Sequence, residues 1–576
     1  MAISATDALL GDTVEGSVDY RGRLVTRSSS GGWRSAFFII GVEMAERFAY
    51  YGIGSNLISY LTGPLQQSTA AAAANVNAWS GAASMLPLLG AFVADSYLGR
   101  YRTILYASLL YILGLGLLTL SALLPSLRPP DCERKMETSS CASPTPFQIL
   151  FFFFSLYLVA LAQGGHKPCV QAFGADQFDP RDPKESKSKS SFFNWWYFAL
   201  CAGTVVSLWI VTYIQDNLSW GLGFGIPCIS MALALVVFLL GTRTYRYSLA
   251  EEKSTLVRIL QVFVAAARNR QAHTSTADKT HLPPIGAEAR ETGCTTQFKF
   301  LDRAAASTDG LDCSKNSWSV CSVSQVEEAK GVLQLFPIWV TCLIYAVVFA
   351  QSSTFFTKQG STMERWIGSG FQIPAATLQT FISLSIVIVI PMYDRIFVPI
   401  VRSFTGLPSG ITMLKRIGIG MFLSVVSMAV AAVVEAQRLI VARDAGLVDV
   451  PAATVPMSVW WLAPQYILFG VADVFTMVGL QEFFYDQVPD GLRSLGLSLY
   501  LSIFGVGSFL SSFLIAVIEK ATSGPGRESW FSNNLNKGHL DYFYWLLAGF
   551  SAVELVIYSF FANSYLYKNK RRNATM

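Results

Sequence analysis

Charge is scarce in this sequence. Asp, Glu, Lys and Arg make up only 14% of its 576 residues, against roughly 25% in an ordinary soluble domain. The net charge of +5 is too small to call for a nucleic-acid partner. The nine cysteines and four histidines show no CxxC or Cys/His metal spacing, and the two histidines of HTSTADKTH have no further ligands around them. No metal or other cofactor is expected. Ser/His/Asp and phosphate-loop constellations are also missing, so the chain does not read as an enzyme. There is no cleavable signal: the first thirty residues are polar, ending in SSSGG, and the first apolar run is long and charged. Cys132 and Cys141 share one hydrophilic loop and can pair if that loop faces an oxidising compartment.

Apolar length is what the chain has in excess, with 52% hydrophobic residues and a mean hydropathy of +0.42. A helix crosses the hydrocarbon core in about twenty apolar residues. On that rule the sequence predicts twelve spans, near 35–62, 76–96, 103–124, 147–173, 192–214, 221–241, 332–357, 372–394, 411–434, 457–482, 494–518 and 541–566. The expected fold is an all-α membrane protein of two six-helix halves, 34–242 and 331–566. A polar linker at 243–330 joins them, with tails at 1–33 and 567–576. The linker piece STLVRILQVFVAAARNR reads as an interfacial amphipathic helix followed by a flexible stretch.

Lysines and arginines orient the spans. With the N-terminus in the cytoplasm, nineteen fall in short inner segments, ten in outer loops and twelve in the central linker. That bias places both termini inside. Two halves joined by an inner linker suggest a transporter that rocks about a midplane site.

The strongest functional signal is Glu43, Glu46 and Arg47 inside the first span. Charges in a bilayer core are costly unless paired or turned to a polar cavity. At i, i+3 and i+4 the three share one helix face, so Arg47 can neutralise Glu43 one turn away. Two carboxylates and one guanidinium leave a net negative cluster able to accept a proton. After the second span, Asp95, Gly99 and Arg100 form a D-x-x-x-G-R turn, where Gly permits close backbone approach while Asp and Arg bridge helix ends.

These motifs resemble the proton-coupled oligopeptide transporter family, a branch of the major facilitator superfamily, and within it the plant nitrate/peptide transporters. The resemblance rests on Glu43-Met44-Ala45-Glu46-Arg47 and on Gly90 to Gly114 with Asp95, Gly99, Thr103, Ile104 and Ser108. GGHKPCVQAFGADQFD (Gly164–Asp179), FFNWWYF (Phe192–Phe198), TFFTKQGSTM (Thr354–Met363) and EFFYDQVPDGLRSLG (Glu482–Gly496) add to it. It implies a major-facilitator fold and proton-driven movement of a small, often anionic, solute.

The resemblance also places Lys167 of the fourth span beside the acidic cluster, while its neighbour His166 is expected to point elsewhere as a structural residue. In relatives with a substrate histidine in the seventh span, that histidine lies two residues before a Gln. Here the Gln is Gln351 and the matching residue is Phe349. Ala350 stands where bacterial relatives carry a Glu, which leaves coupling to the first-span cluster. Asp473 stands where many plant relatives have Glu, with a cavity role and a helix–helix bond both open. Tyr50 is a candidate pocket aromatic. Thr103 follows Arg100 and Arg102 and is either a kinase substrate or a helix N-cap.

The expectation is a symporter of protons with nitrate, a di- or tripeptide or a plant metabolite, working by alternating access. A channel and a transport-inactive sensor are the rival readings. It is expected to be a multi-pass protein of the plasma membrane, with the vacuolar membrane as the alternative. Its expected partners are solute, protons and the lipid bilayer, with a kinase as a candidate at Thr103. The proton gradient serves in place of a cofactor.

Overall fold

The computed structural model describes residues 13–128, 143–179, 181–248, 255–272, 298–304, 321–368, 370–406, 411–451, 453–488, 493–524 and 528–565. Cys132, Cys141, the outer parts of both tails and much of the linker lie outside the described residues.

Long apolar helices dominate. Among the described residues, ten are long and apolar enough to cross a membrane, or eleven if one bent pair counts as a single span. In the first half α1 is Gly32–Gly54, α2 Thr69–Val93, α3 Arg100–Leu123, α4 Pro146–Ala175, α5 Pro183–Val206 and α6 Trp220–Leu240. The linker supplies α7, Thr255–Ala272, and α8, Val323–Leu333. In the second half α9 is Phe336–Val340, α10 Leu343–Phe349, α11 Thr380–Met392, α12 Met413–Asp444, α13 Ala463–Asp486, α14 Arg493–Thr522 and α15 Leu540–Ser564. α1 has 23 residues, enough to span, but Arg34, Glu43, Glu46 and Arg47 keep it out of a count based on low charge. The expected seventh span is broken: the run ending in α9 and the following α10 meet at 52°.

Helix ends follow local chemistry. Thr145 opens α4 through a capping box with Gln148, and Pro146 takes the first turn, where its missing N–H costs nothing. Asp182 caps α5 by accepting from the Lys184 and Glu185 N–H groups. Packing then depends on small residues. A Cβ on Gly90 of α2 would lie 2.1 Å from the Gly164 carbonyl oxygen of α4, so these helices touch backbone to backbone. Large apolar side chains such as Leu233, Val556 and Phe404 remain exposed, as lipid-facing surfaces require.

Two features differ from the sequence expectation. The N-terminal tail is partly folded: β1, Thr13–Val18, pairs antiparallel with β2, Leu24–Thr26, and with β3, Tyr247–Ser248. Fully buried Arg246 fastens this sheet, donating to both carboxylate oxygens of Glu185 at 2.7 and 3.0 Å and to the Ser30 carbonyl at 2.7 Å. The linker helix α7 is not a bare interfacial helix either. Val262, Ala265 and Ala266 on its apolar face pack on Leu301, Ala304, Cys321, Val326 and Ala329 from later in the same linker.

The halves are tied together at one end of the bundle, where α1 ends and α2 begins. Gln379 donates to the Ser55 carbonyl at 3.0 Å, Lys358 to the Thr62 hydroxyl at 3.0 Å, and the Thr69 N–H to Asn533 at 2.9 Å. Arg365 stands 3.8 Å from Asp216, and Phe371 stacks on Tyr213 at 5.4 Å. At the opposite end, the ion pairs Arg100–Asp176, Arg27–Asp179 and Arg416–Glu482 each run within one half.

Candidate functional site

α1 carries its three charges on one face, and all three are buried. Arg47 lies between the carboxylates: its Nε is 2.6 Å from Glu46 Oε2 and 3.2 Å from Glu43 Oε1, and its Nη2 is 2.5 Å from Glu46. Tyr111 of α3 donates its hydroxyl to Glu46 Oε1 at 3.4 Å. The second oxygen of Glu43 is buried with no hydrogen-bonding protein group. That oxygen is where a proton, or a donor on a solute, would meet least competition.

Tyr50 sits beside the cluster. The Arg47 guanidinium lies 5.7 Å from its ring centroid, and Trp79 stacks on the ring at 5.3 Å. Lys167 of α4 is half-buried. It interacts electrostatically with Arg47, Glu46 and Glu43, yet makes no ion pair within 4 Å among the described residues. The three-residue cluster is therefore closed on itself, with Lys167 nearby as a cation not engaged by a carboxylate.

His166 is fully buried and meets the Tyr111 ring edge to face, centroids 6.3 Å apart. Consecutive helix residues project about 100° apart, so His166 faces α3, whose Tyr111 in turn reaches Glu46.

In the second half, Phe349 packs between Phe469 and Phe504, at 6.0 and 5.2 Å. Gln351 is fully buried and engaged: its Nε2 donates to the Val347 carbonyl at 2.7 Å and to Ser511 at 3.1 Å. Asn77 of α2 donates to the same Ser511 hydroxyl at 3.0 Å, so Gln351 belongs to a polar link between the halves. Asp473 of α13 accepts a hydrogen bond from the Tyr345 hydroxyl of α10. It also interacts electrostatically with Tyr51 and Tyr197 of the first half. Of the two uses left open for Asp473, the helix–helix bond is present in the geometry.

The turn after α2 is a π-type turn, Ala94–Leu98. Asp95 falls inside it, and its side chain is outside the described residues. Gly99 has φ 74°, a left-handed backbone that favours glycine, and it is the N-cap of α3. Arg100 reaches Asp176 at the end of α4, 2.5 Å away. Thr103 is not the cap. It lies in the first turn, only 5% exposed, with its hydroxyl donating to the Gly99 carbonyl at 3.0 Å.

Sequence reasoning missed Tyr111, Tyr345 and Glu554. The Glu554 carboxylate on α15 accepts the Ile344 and Tyr345 N–H groups, at 2.6 and 3.0 Å, where the seventh span breaks. An acidic residue in the middle of an apolar last span was a usable signal.

A bundle of apolar helices with a buried carboxylate–guanidinium cluster defines a membrane transporter, and the comparisons say which kind. The family model described as PTR2, the POT family, matches residues 101–531. The chain belongs to the POT family and is a multi-pass integral membrane protein. It is 65% identical to "Protein NRT1/ PTR FAMILY 5.10" of Arabidopsis thaliana over 557 residues, 96% of each chain. It is 56% identical to "Protein NRT1/ PTR FAMILY 5.12" of the same plant over 567 residues, 97% of each. Among solved structures it resembles an auto-inhibited POT family peptide transporter with a TM-score of 0.68, at 21% identity over 92% of this chain and 97% of that one. It also resembles the POT family transporter PepTSo with a TM-score of 0.68, at 20% identity over 92% and 98%. At that identity the likeness speaks to the fold.

Proposed function

We propose that this protein is a proton-coupled symporter of a small anionic or peptide-like solute, and that it works by alternating access. One observation carries the reading: Glu43, Glu46 and Arg47 form a buried cluster beside Lys167, a cation without a carboxylate partner. Empty and deprotonated, the carboxylates are held by the positive charges. A proton on Glu43 or Glu46 frees positive charge to attract an anion or a peptide carboxylate. Proton and solute together neutralise the cavity, whereas either alone leaves an unpaired buried charge, which suppresses leak.

Twelve spans follow if α1 is counted with the ten apolar helices and the bent pair. With both termini in the cytoplasm, as the basic residues indicate, the tied end of the bundle is the outer one. The structure then represents a state facing the cytoplasm. The plasma membrane is the proposed location, with the vacuolar membrane as the alternative. The rivals are a channel and a transport-inactive sensor on the same fold. The channel reading is weakened by a titratable cluster that a passive pore does not need. The sensor reading is weakened by an intact coupling set.

The test is a panel of nitrate, di- and tripeptides and plant metabolites, offered to oocytes at acidic and neutral pH, with Glu46→Gln and Lys167→Ala as controls. Accumulation against a gradient, driven by external acid and lost in both variants, is the expected result. Uptake by Glu46→Gln that still follows the imposed proton gradient would overturn the coupling scheme.

A further inference from the structure

The coupling scheme leaves His166 unused, although its surroundings are unusual for a packing residue. It is fully buried, and neither Nδ1 nor Nε2 has a hydrogen-bonding protein group in reach. A neutral imidazole has one donor and one acceptor nitrogen, and leaving both unmade in a sealed interior is costly. One turn earlier, on the same face of α4, Gln163 is 1% exposed and its Oε1 is likewise without a partner. The Tyr111 ring lies edge to face with His166, and the Tyr111 hydroxyl is bonded to Glu46. Two orphaned polar side chains and a phenol leading to the acidic cluster form a polar group within an apolar helix contact.

We propose that His166 is an inner proton station, which receives the coupling proton from Glu46 through Tyr111 and a water held by Gln163. The inference rests on the proton-coupled reading above. In the transfer, the Glu46 carboxylic acid gives its proton to the Tyr111 oxygen as the phenol proton passes to the water. A proton of that water passes to an imidazole nitrogen. The products are the Glu46 carboxylate, an unchanged phenol and water, and a His166 imidazolium.

The charged and titratable groups around the station are Glu46 and Arg47 on α1, Tyr111 on α3 and Lys167 on α4 itself. α2, which packs on Gly164 through Leu86 and Gly90, has no ionisable residue along its length. Around His166 stand one carboxylate, two cations and one phenol. Its neighbour Gly165 packs on Ala107 and Thr103, so the station lies toward the end of the bundle assigned to the cytoplasm.

Four histidines in the chain make imidazole NMR practical without any solute. The full-length protein, labelled with ¹⁵N-histidine in nanodiscs, is titrated from pH 5 to pH 8, and the signal absent from His166→Asn is assigned to His166. If that variant does not fold, His166→Gln serves instead. The expected result is passage between neutral and imidazolium forms within this range, displaced by roughly one pH unit or more in Glu46→Gln. A ring that stays neutral throughout, or that titrates identically in both proteins, overturns the proposal.

The second arm uses any panel solute that the oocytes accumulate. His166→Asn should keep exchange of labelled for unlabelled solute while proton-driven accumulation falls about tenfold or more. Equal loss of both activities would mean a packing role and overturn the proposal. If no solute is carried the transport reading fails, and the titration still decides the case of His166.

Discussion

The ties at the closed end of the bundle can be ranked, and the ranking makes a sharp prediction. Gln379 is 7% exposed and donates to the Ser55 carbonyl across the halves at 3.0 Å. In Gln379→Ala the closed state keeps that carbonyl buried without its donor, at a cost of about 1–3 kcal/mol. In the open state water reaches the same carbonyl, so the cost falls on the closed state alone. The closed-to-open ratio should therefore drop roughly 5- to 150-fold. Arg365 and Asp216 are 3.8 Å apart and partly exposed, so Arg365→Ala should cost at most about 1 kcal/mol after solvent screening.

Spin labels at Leu218 and Val450, exposed positions on the two halves near this end, would report the populations by pulsed distance measurement in nanodiscs. Gln379→Ala should enlarge the long-distance population clearly, and Arg365→Ala should do so barely. If Arg365→Ala opens the seam more than Gln379→Ala, burial is not what sets the strength of these ties. If neither variant alters the distribution, this seam is not the gate.

Other substitutions probe the rest of the molecule. Thr103→Asp would force a charge into the α3–α4 contact at Gly165 and should lower stability by about 1–3 kcal/mol, read as a lower thermal midpoint; an unchanged midpoint would show room for a phosphate there. Burial raises the Asp179 carboxyl, but hydrogen bonds from Arg27 and the Arg181 N–H outweigh it and hold the group below its ordinary value. Its stabilisation is thus present above about pH 4 and fades as pH falls through the depressed value, so Asp179→Asn should cost about 1 kcal/mol at pH 7 and nothing in strong acid, by thermal melts at both. Arg438 is fully buried, with its Nε and Nη2 on the two carboxylate oxygens of Glu435 and further bonds to Asn536 and the Leu535 carbonyl. Arg438→Ala should cost about 3–5 kcal/mol, whereas replacing both partners with Met and Leu should cost much less.

Much of this architecture was legible because a bilayer is a demanding solvent. Apolar length announces helices, and a charge within that length announces a paired site, which is how Glu43, Glu46 and Arg47 stood out. The tail sheet was not legible, since its strands are short and β1 pairs with Tyr247–Ser248, more than two hundred residues away. The proximity of His166 to Tyr111 also depends on two helices meeting at Gly165, which no periodicity within α4 reveals. The break in the seventh span was only half legible: Pro337 suggested a bend, but the groups that satisfy its free N–H donors come from α15.

That break bears on how the second half works without an acidic residue at position 350. The Glu554 carboxylate binds the two N–H groups that open α10, where the helix dipole favours negative charge. Tyr345, one of those two residues, then donates its hydroxyl to Asp473. Two acids on neighbouring helices thus hold α10 from either side: one grips its backbone at the bend and the other its first aromatic side chain. The Asp473 carboxylate is within electrostatic reach of Tyr51 and Tyr197 of the first half. In the proposed coupling scheme, a change of charge near Asp473 would act through Tyr345 on α10, and so on Phe349 and Gln351 beyond it. The first half would then hold the proton while the two acids of the second half set the angle of α10.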